Sequence, residues 1–205
     1  MSQALYVQSR SKLTRDKLLA ALARLLESHD LDSISIKDIT AEAGCSVGAF
    51  YTHFQDKQQM LGELYQAYVT ERGGLTGSFL RPDQWSGLSL AGVVAKLVSL
   101  TLAEYDQRGG LFRAFRAYRE QLSAQDERDH MSLLYQGVQE ILAPRLTHLE
   151  NPTQAADFAF FAITSVGQAA LVDRGRHADY LQLDRQTVQA QLVKMIVAYL
   201  GEPTE

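Results

Sequence analysis

Apolar residues recur at three- and four-residue spacing along nearly the whole chain, the period of an α-helix with one buried face. Between Thr14 and His29, Leu18, Leu19, Leu22, Leu25 and Leu26 make such a face. No stretch alternates apolar and polar residues as a half-buried strand does, and no internal repeat is visible. The pattern predicts an all-α chain. At 205 residues, 46% of them hydrophobic, it is long enough for one or two domains with buried cores. Its 4 prolines exclude a Pro-rich or collagen-like chain. The single cysteine, Cys45, excludes an intrachain disulfide framework and a multi-cysteine metal site. It fits a reducing cytoplasm, the expected location, and no apolar secretory h-region is seen near the N-terminus. The uncharged run from Phe158 to Val172 also holds Thr164, Ser165 and Gln168, and is expected to be too short and too polar to span a bilayer.

Punctuation divides the helices. Thr14 is placed to cap the first, and Asp30–Ser33 reads as a polar turn. Ser35 and Asp38 stand in capping-box spacing at the start of a short second helix that turns Ile36, Ile39 and Ala43 inward. Gly44 suits its left-handed end, and Ser46 is placed to cap a third helix, Val47 to His53. A fourth, capped by Asp56, is expected over Lys57–Arg72 with Met60, Leu61, Leu64, Tyr65 and Tyr68 inward. Gly73, Gly74, Gly77, Pro82, Asp83, Ser86 and Gly87 then predict a loop and a domain boundary. Further helices are expected over 88–105, 111–122, 127–149, 152–174 and 185–200, about nine in all. Gly109 and Gly110 separate the first two; Asp126, Asn151 and Asp184 cap the others. Pro144 should end or kink the long middle helix, and Gly201 ends the last.

Ser35 to Phe54 is two short capped helices about a tight glycine turn, a helix-turn-helix. Phe50 and Phe54, one helical turn apart, should face the core, leaving Tyr51, Thr52 and His53 outward. The third helix then presents its N-terminus outward, where free N–H groups favour a phosphate. A plain helical hairpin is the other reading of such a turn.

The run I-T-A-E-A-G-C-S-V-G-A-F-Y-T-H-F-Q-D-K, Ile39 to Lys57, resembles the DNA-binding signature of the TetR family of transcriptional regulators. Cys45 stands where the family usually has Val. The resemblance implies an N-terminal three-helix DNA-binding domain over residues 1–56, a connecting helix over 57–72, and a larger helical ligand-binding and dimerisation domain over 73–205. It implies a sequence-specific regulator, a repressor released from its operator by a small-molecule effector. An effector-independent nucleoid or division factor of the same fold is the alternative. Tyr51, His53 and Lys57 match the family's phosphate contacts, and a phenol, an imidazole and an ammonium can each donate to phosphate oxygens. Ser46 and Thr40 are further candidates. Val47, Gly48, Ala49 and Thr52 match positions that face bases, as does Lys37 on the preceding helix.

No Arg, Asn or Gln lies between Val47 and Phe54, so bidentate reading of guanine or adenine edges is scarce. Lys37 is the strong base-edge donor; Val47, Ala49 and Thr52 are expected to meet thymine methyls, with DNA shape adding specificity. Arg10, Lys12, Arg15 and Lys17 against Asp16 make a basic N-terminal arm, readable as a backbone or minor-groove contact or as a solvated tail. Helices 152–174 and 185–200 are apolar over too much of their surface for simple surface helices. The resemblance implies that they pair with a second subunit in a four-helix bundle, giving a C2 homodimer on a near-palindromic double-stranded operator. It also implies an effector pocket, for which Phe112, Phe115, Tyr118, Tyr135 and Phe161 are the candidates, and a pendulum-like motion of the fourth helix on binding. Arg113, Arg116 and Arg119 beside them read as a solvated stripe or as a cue for an anionic ligand.

No enzyme, cofactor or metal site is expected. Glu127 and His130 form one Glu-x-x-His where a di-iron bundle needs two, and H-E-x-x-H, P-loop and G-x-G-x-x-G patterns are absent. The net charge of -4 splits into -1 over residues 1–72 and -3 beyond. Positive charge is local to the arm, Lys37 and Lys57, which predicts weak nonspecific and dimer-dependent specific DNA binding.

Overall fold

The computed structural model describes residues 2–79, 82–122, 124–173 and 184–201. Arg174 and the side chains of Arg10, Phe79, Asp126, Glu127 and His130 lie outside the described residues. The fold is all-helical: α1 (Ser2–Leu26), α2 (Ile36–Ala43), α3 (Val47–His53), α4 (Lys57–Phe79), α5 (Leu90–Arg119), α6 (Ala124–Leu142), α7 (Pro152–Gly167) and α8 (Arg185–Leu200). No strand occurs among the described residues.

Four expected boundaries move. Helix α6 starts at Ala124, so it runs through Asp126, the residue expected to cap it. Thr14 caps nothing, because α1 starts at Ser2 and passes through it. Between Ser2 and Leu26 there is neither Gly nor Pro, and a lone Thr does not stop a propagating helix. The expected basic arm is therefore the start of this helix. Nor does α4 end at Arg72; it carries Gly73, Gly74 and Gly77 and reaches Phe79. Each glycine weakens a helix by about 1 kcal/mol, too little to terminate one already formed. The helices expected to be separated by Gly109 and Gly110 form the single run α5, whose break survives as a kink at Arg108 (φ -132°, ψ 29°). The caps at Ser35, Ser46, Asn151 and Asp184, the left-handed Gly44 and Gly201, and the end of α6 before Pro144 fall where the sequence puts them.

The chain divides into two compact units, Met1–Tyr68 with Gly110–Leu122, and Val69–Gly109 with Ser123–Glu205. The N-terminal unit packs around Leu18, Leu22, Leu26, Ile39, Phe50, Phe54, Met60 and Leu61, each at most 2% exposed. These are the inward positions of the helical pattern, and their burial is the main force holding the short α2 and α3. The second unit buries Trp85, whose ring lies 4.3 Å under the Lys96 ammonium and whose carbonyl accepts from Arg145 Nη2 at 2.5 Å. There α7 runs on through a π-helical turn, Gln168–Val172. The continuous helix Pro152–Val172 has 21 residues and is long and apolar enough to cross a membrane, longer than the run starting at Phe158 suggests. It packs instead as a core helix on one side, burying Ala155, Ala156, Ala159, Phe160 and Ile163 within the unit.

Candidate nucleic-acid interface

The helix-turn-helix is built by local chemistry. The Ser35 backbone N–H donates to Asp38 Oδ2 at 2.8 Å, and the Asp38 N–H donates back to Ser35 Oγ at 3.2 Å. The Ser35 hydroxyl and backbone N–H hold the Asp38 carboxyl below the usual carboxylate range. At the other end Gly44 takes φ 65°, a left-handed turn that L side chains resist, and its N–H and that of Cys45 close on the Ala41 and Thr40 carbonyls. Ser46 Oγ accepts from the Ala49 N–H at 3.2 Å, starting α3 in the direction that this turn sets. Phe50 and Phe54, ring centroids 5.6 Å apart, anchor the other side of α3 in the core. The start of α4 is capped twice: the Gln59 N–H donates to Asp56 Oδ1 at 2.7 Å, and Gln59 Oε1 accepts from the Gln55 N–H at 2.6 Å. The second of these bonds escapes the sequence reading.

Anchoring Phe50 and Phe54 decides what remains outside. Val47 is 39% exposed and Tyr51 58%. Ser46, Gly48 and Thr52 are exposed, while Ala49 and His53 are half-buried. Lys37 is exposed on α2, and no carboxylate pairs with it among the described residues. Tyr51 stacks edge-on with Phe50 at 5.4 Å yet keeps its ring in solvent. The Thr52 hydroxyl donates to the Gly48 carbonyl at 3.0 Å.

Two candidates are placed differently from expectation. Thr40 is 3% exposed and its hydroxyl donates to the Lys37 carbonyl at 3.1 Å, so it belongs to the helix and offers nothing to a ligand. Lys57 is half-buried, and its ammonium donates to the Leu31 carbonyl at 2.8 Å and the Ile34 carbonyl at 2.5 Å. It ties the α1–α2 turn to the start of α4, with one of its three protons left over. A cation in the first turn of a helix opposes the helix dipole, and that mismatch is the sequence signal for a partner elsewhere. Lys57→Met is therefore expected to lower stability by about 1–3 kcal/mol, since two carbonyls lose a charged donor; a thermal melt equal to that of the parent would show the tie to be idle.

The arm's charge is partly used inside the unit. Arg15 pairs with Glu63 of α4, and Arg24 with Glu42 at 2.6 Å, while Lys12 and Lys17 stay exposed.

The five aromatic pocket candidates are divided between the two units. Phe112, Phe115 and Tyr118 gather in the N-terminal unit with Tyr65 and Tyr68, ring centroids 5.1–5.7 Å apart. Tyr118 also lines an open cleft of about 470 Å³ with Gln58, Gln59, Gly62, Glu63 and Gln66. Tyr135 lies in the other unit, edge-on to Phe160 at 5.3 Å, and Phe161 is 55% exposed beside Phe158. Arg113 of the stripe pairs with Asp30 at 3.7 Å. Among the described residues no group of three or more His, Cys, Asp or Glu could hold a metal ion.

Residues 18–64 match the family model of the bacterial regulatory proteins, tetR family. No curated protein matches the sequence. The fold is similar to the transcriptional regulator FadR of Bacillus subtilis, solved in complex with stearoyl-CoA: TM-score 0.60, 14% identity, 89% of this chain and 97% of that one. It is similar to E. coli NemR in its reduced form (TM-score 0.60, 17%, covering 93% and 99%) and to a TetR regulator from Rhodococcus sp. RHA1 (TM-score 0.56, 14%, covering 95% and 98%). The family match falls on the residues that build the capped turn and its exposed helix, and the all-helical neighbours share the fold along the rest; residues 18–64 carry the N-terminal domain of the bacterial regulatory proteins, tetR family, on a chain with the fold of TetR regulators.

Proposed function

We propose that this protein is a sequence-specific repressor that binds a near-palindromic operator as a C2 homodimer in the cytoplasm and leaves it when a small molecule binds. The observation that carries the DNA reading is the exposed side of α3, set outward by the Gly44 turn and the buried Phe50 and Phe54. Lys37, Val47, Gly48, Ala49 and Thr52 face the groove; Tyr51, His53 and Ser46, with the remaining proton of Lys57, face phosphates. The domain roles follow the same reading: residues 1–56 bind DNA, 57–72 connect, and 73–205 dimerise and respond to ligand. For the effector, the support is the aromatic group of Phe112, Phe115 and Tyr118 beside the open cleft, and the irregular α-helical backbone at Arg108 and Gln168–Val172.

Footprinting of the purified full-length protein on genomic fragments tests the DNA reading: it predicts protection of two half-sites about one helical turn apart. A thermal-shift screen of metabolites, with stearoyl-CoA among them, tests the effector. A compound that raises the melting temperature should release the footprinted fragment, because it must favour the state that DNA does not. If compounds that bind leave the footprint intact, the protein acts without an effector.

A further inference from the structure

We propose that the operator is read chiefly through the C5 methyl groups of thymine, by α3 lying flush in the major groove with Gly48 at the point of closest approach. The inference rests on the DNA-binding reading above and deepens it.

The exposed side of α3 offers methyl groups where a hydrogen-bonding reader would offer amides or guanidinium. Val47 is 39% exposed, and Ala49 lies beside it, half-buried. Thr52 spends its hydroxyl on the Gly48 carbonyl at 3.0 Å, so its methyl is the group left to present. Thymine shows a methyl group in the major groove where the other three bases show only donors and acceptors, and an apolar contact selects for it.

Gly48 supplies a second, independent observation. It has no positive φ, so its backbone does not ask for glycine. A Cβ built there would meet only Ser46 Oγ, at 3.8 Å, an ordinary contact, so packing does not ask for glycine either. Glycine weakens a helix relative to alanine. The missing side chain therefore serves something outside the chain, and its neighbours Val47, Ala49 and Thr52 meet the same surface.

The test starts with duplexes selected by the full-length protein from a randomised double-stranded library. Each thymine of the best duplex is replaced in turn by deoxyuridine, which keeps every hydrogen-bonding group and removes only the methyl. Affinity, read by fluorescence anisotropy, is expected to fall about three- to tenfold at each contacted thymine. Gly48→Ala is expected to bind the parent duplex at least about tenfold more weakly while melting at the same or a higher temperature. Deoxyuridine duplexes bound as tightly as thymine duplexes would overturn methyl reading, and an unimpaired Gly48→Ala protein would overturn the close approach. Recovery of no duplex at all would instead overturn the DNA-binding reading on which both depend.

Discussion

Gly110→Ala is expected to destabilise the protein by about 3 kcal/mol or more, at the upper end of what one added methyl does in a packed interior. Gly110 is buried, just past the α5 kink, against the C-terminal end of α1. A Cβ there would lie 2.7 Å from the Leu26 carbonyl carbon, 2.9 Å from Glu27 Cα, and closer still to the Leu26 oxygen. All three are backbone atoms, so no rotamer change relieves the clash; a helix must move. The neighbouring Arg113–Asp30 pair ties the same two segments. Gly62 gives the useful contrast. Its added Cβ would meet the Tyr118 hydroxyl oxygen at 2.6 Å, but that atom ends a side chain that can swing away. In thermal melts of the full chain, Gly110→Ala should fall by on the order of 10 °C or more, and Gly62→Ala by clearly less. Equal melts for Gly110→Ala and the parent would mean that α5 does not approach α1 so closely.

The same glycine shows where sequence reading stops. Gly109 and Gly110 carry the signal of a helix break, and glycine carries that signal whether it ends a helix or lets another backbone close in. Only the partner tells them apart, and Leu26 is far away in sequence. Four caps were legible because every atom involved lies within four residues: Ser35 with Asp38, Ser46 with Ala49, Asn151 with Gln154, Asp184 with Thr187; Thr14 and Asp126 misled because their helices start further upstream. The outward side of α3 was legible for the same reason, since Phe50 and Phe54 fix it by helical spacing alone. Lys57 was not, because its carbonyl partners lie 23 and 26 residues earlier. The pocket candidates show the same limit. Phe112, Phe115 and Tyr118 share one stretch of α5 and stay together, whereas Tyr135 and Phe161 belong to the other unit, a division that no local pattern states.

Placing glutamate at both Phe158 and Tyr199 is expected to convert a dimer into a monomer and to weaken operator binding at least about a hundredfold. Helices α7 and α8 pack together by burying Ala155, Ala159 and Ile163 on one and Val188, Leu192 and Ile196 on the other. Their remaining surface carries a further set of large apolar side chains: Phe158, Phe161, Val166, Met195 and Tyr199 are 41–55% exposed. Phe158 and Tyr199 touch across the helix pair with ring centroids 5.1 Å apart. Such a concentration of large apolar side chains is costly to leave in water, and a second copy of the same face can cover it about a two-fold axis. The parent should therefore elute at twice its 22.8 kDa chain mass in light scattering at micromolar concentration. Two carboxylates in that face would have to be buried unpaired, which opposes association strongly. Both sites are half-exposed in the single chain, so the variant should keep its helical circular dichroism. Binding falls because one reading head must then hold its half-site without the second. A parent protein that scatters as a monomer, or a variant that binds the operator as tightly as the parent, would show that this face does not join two subunits.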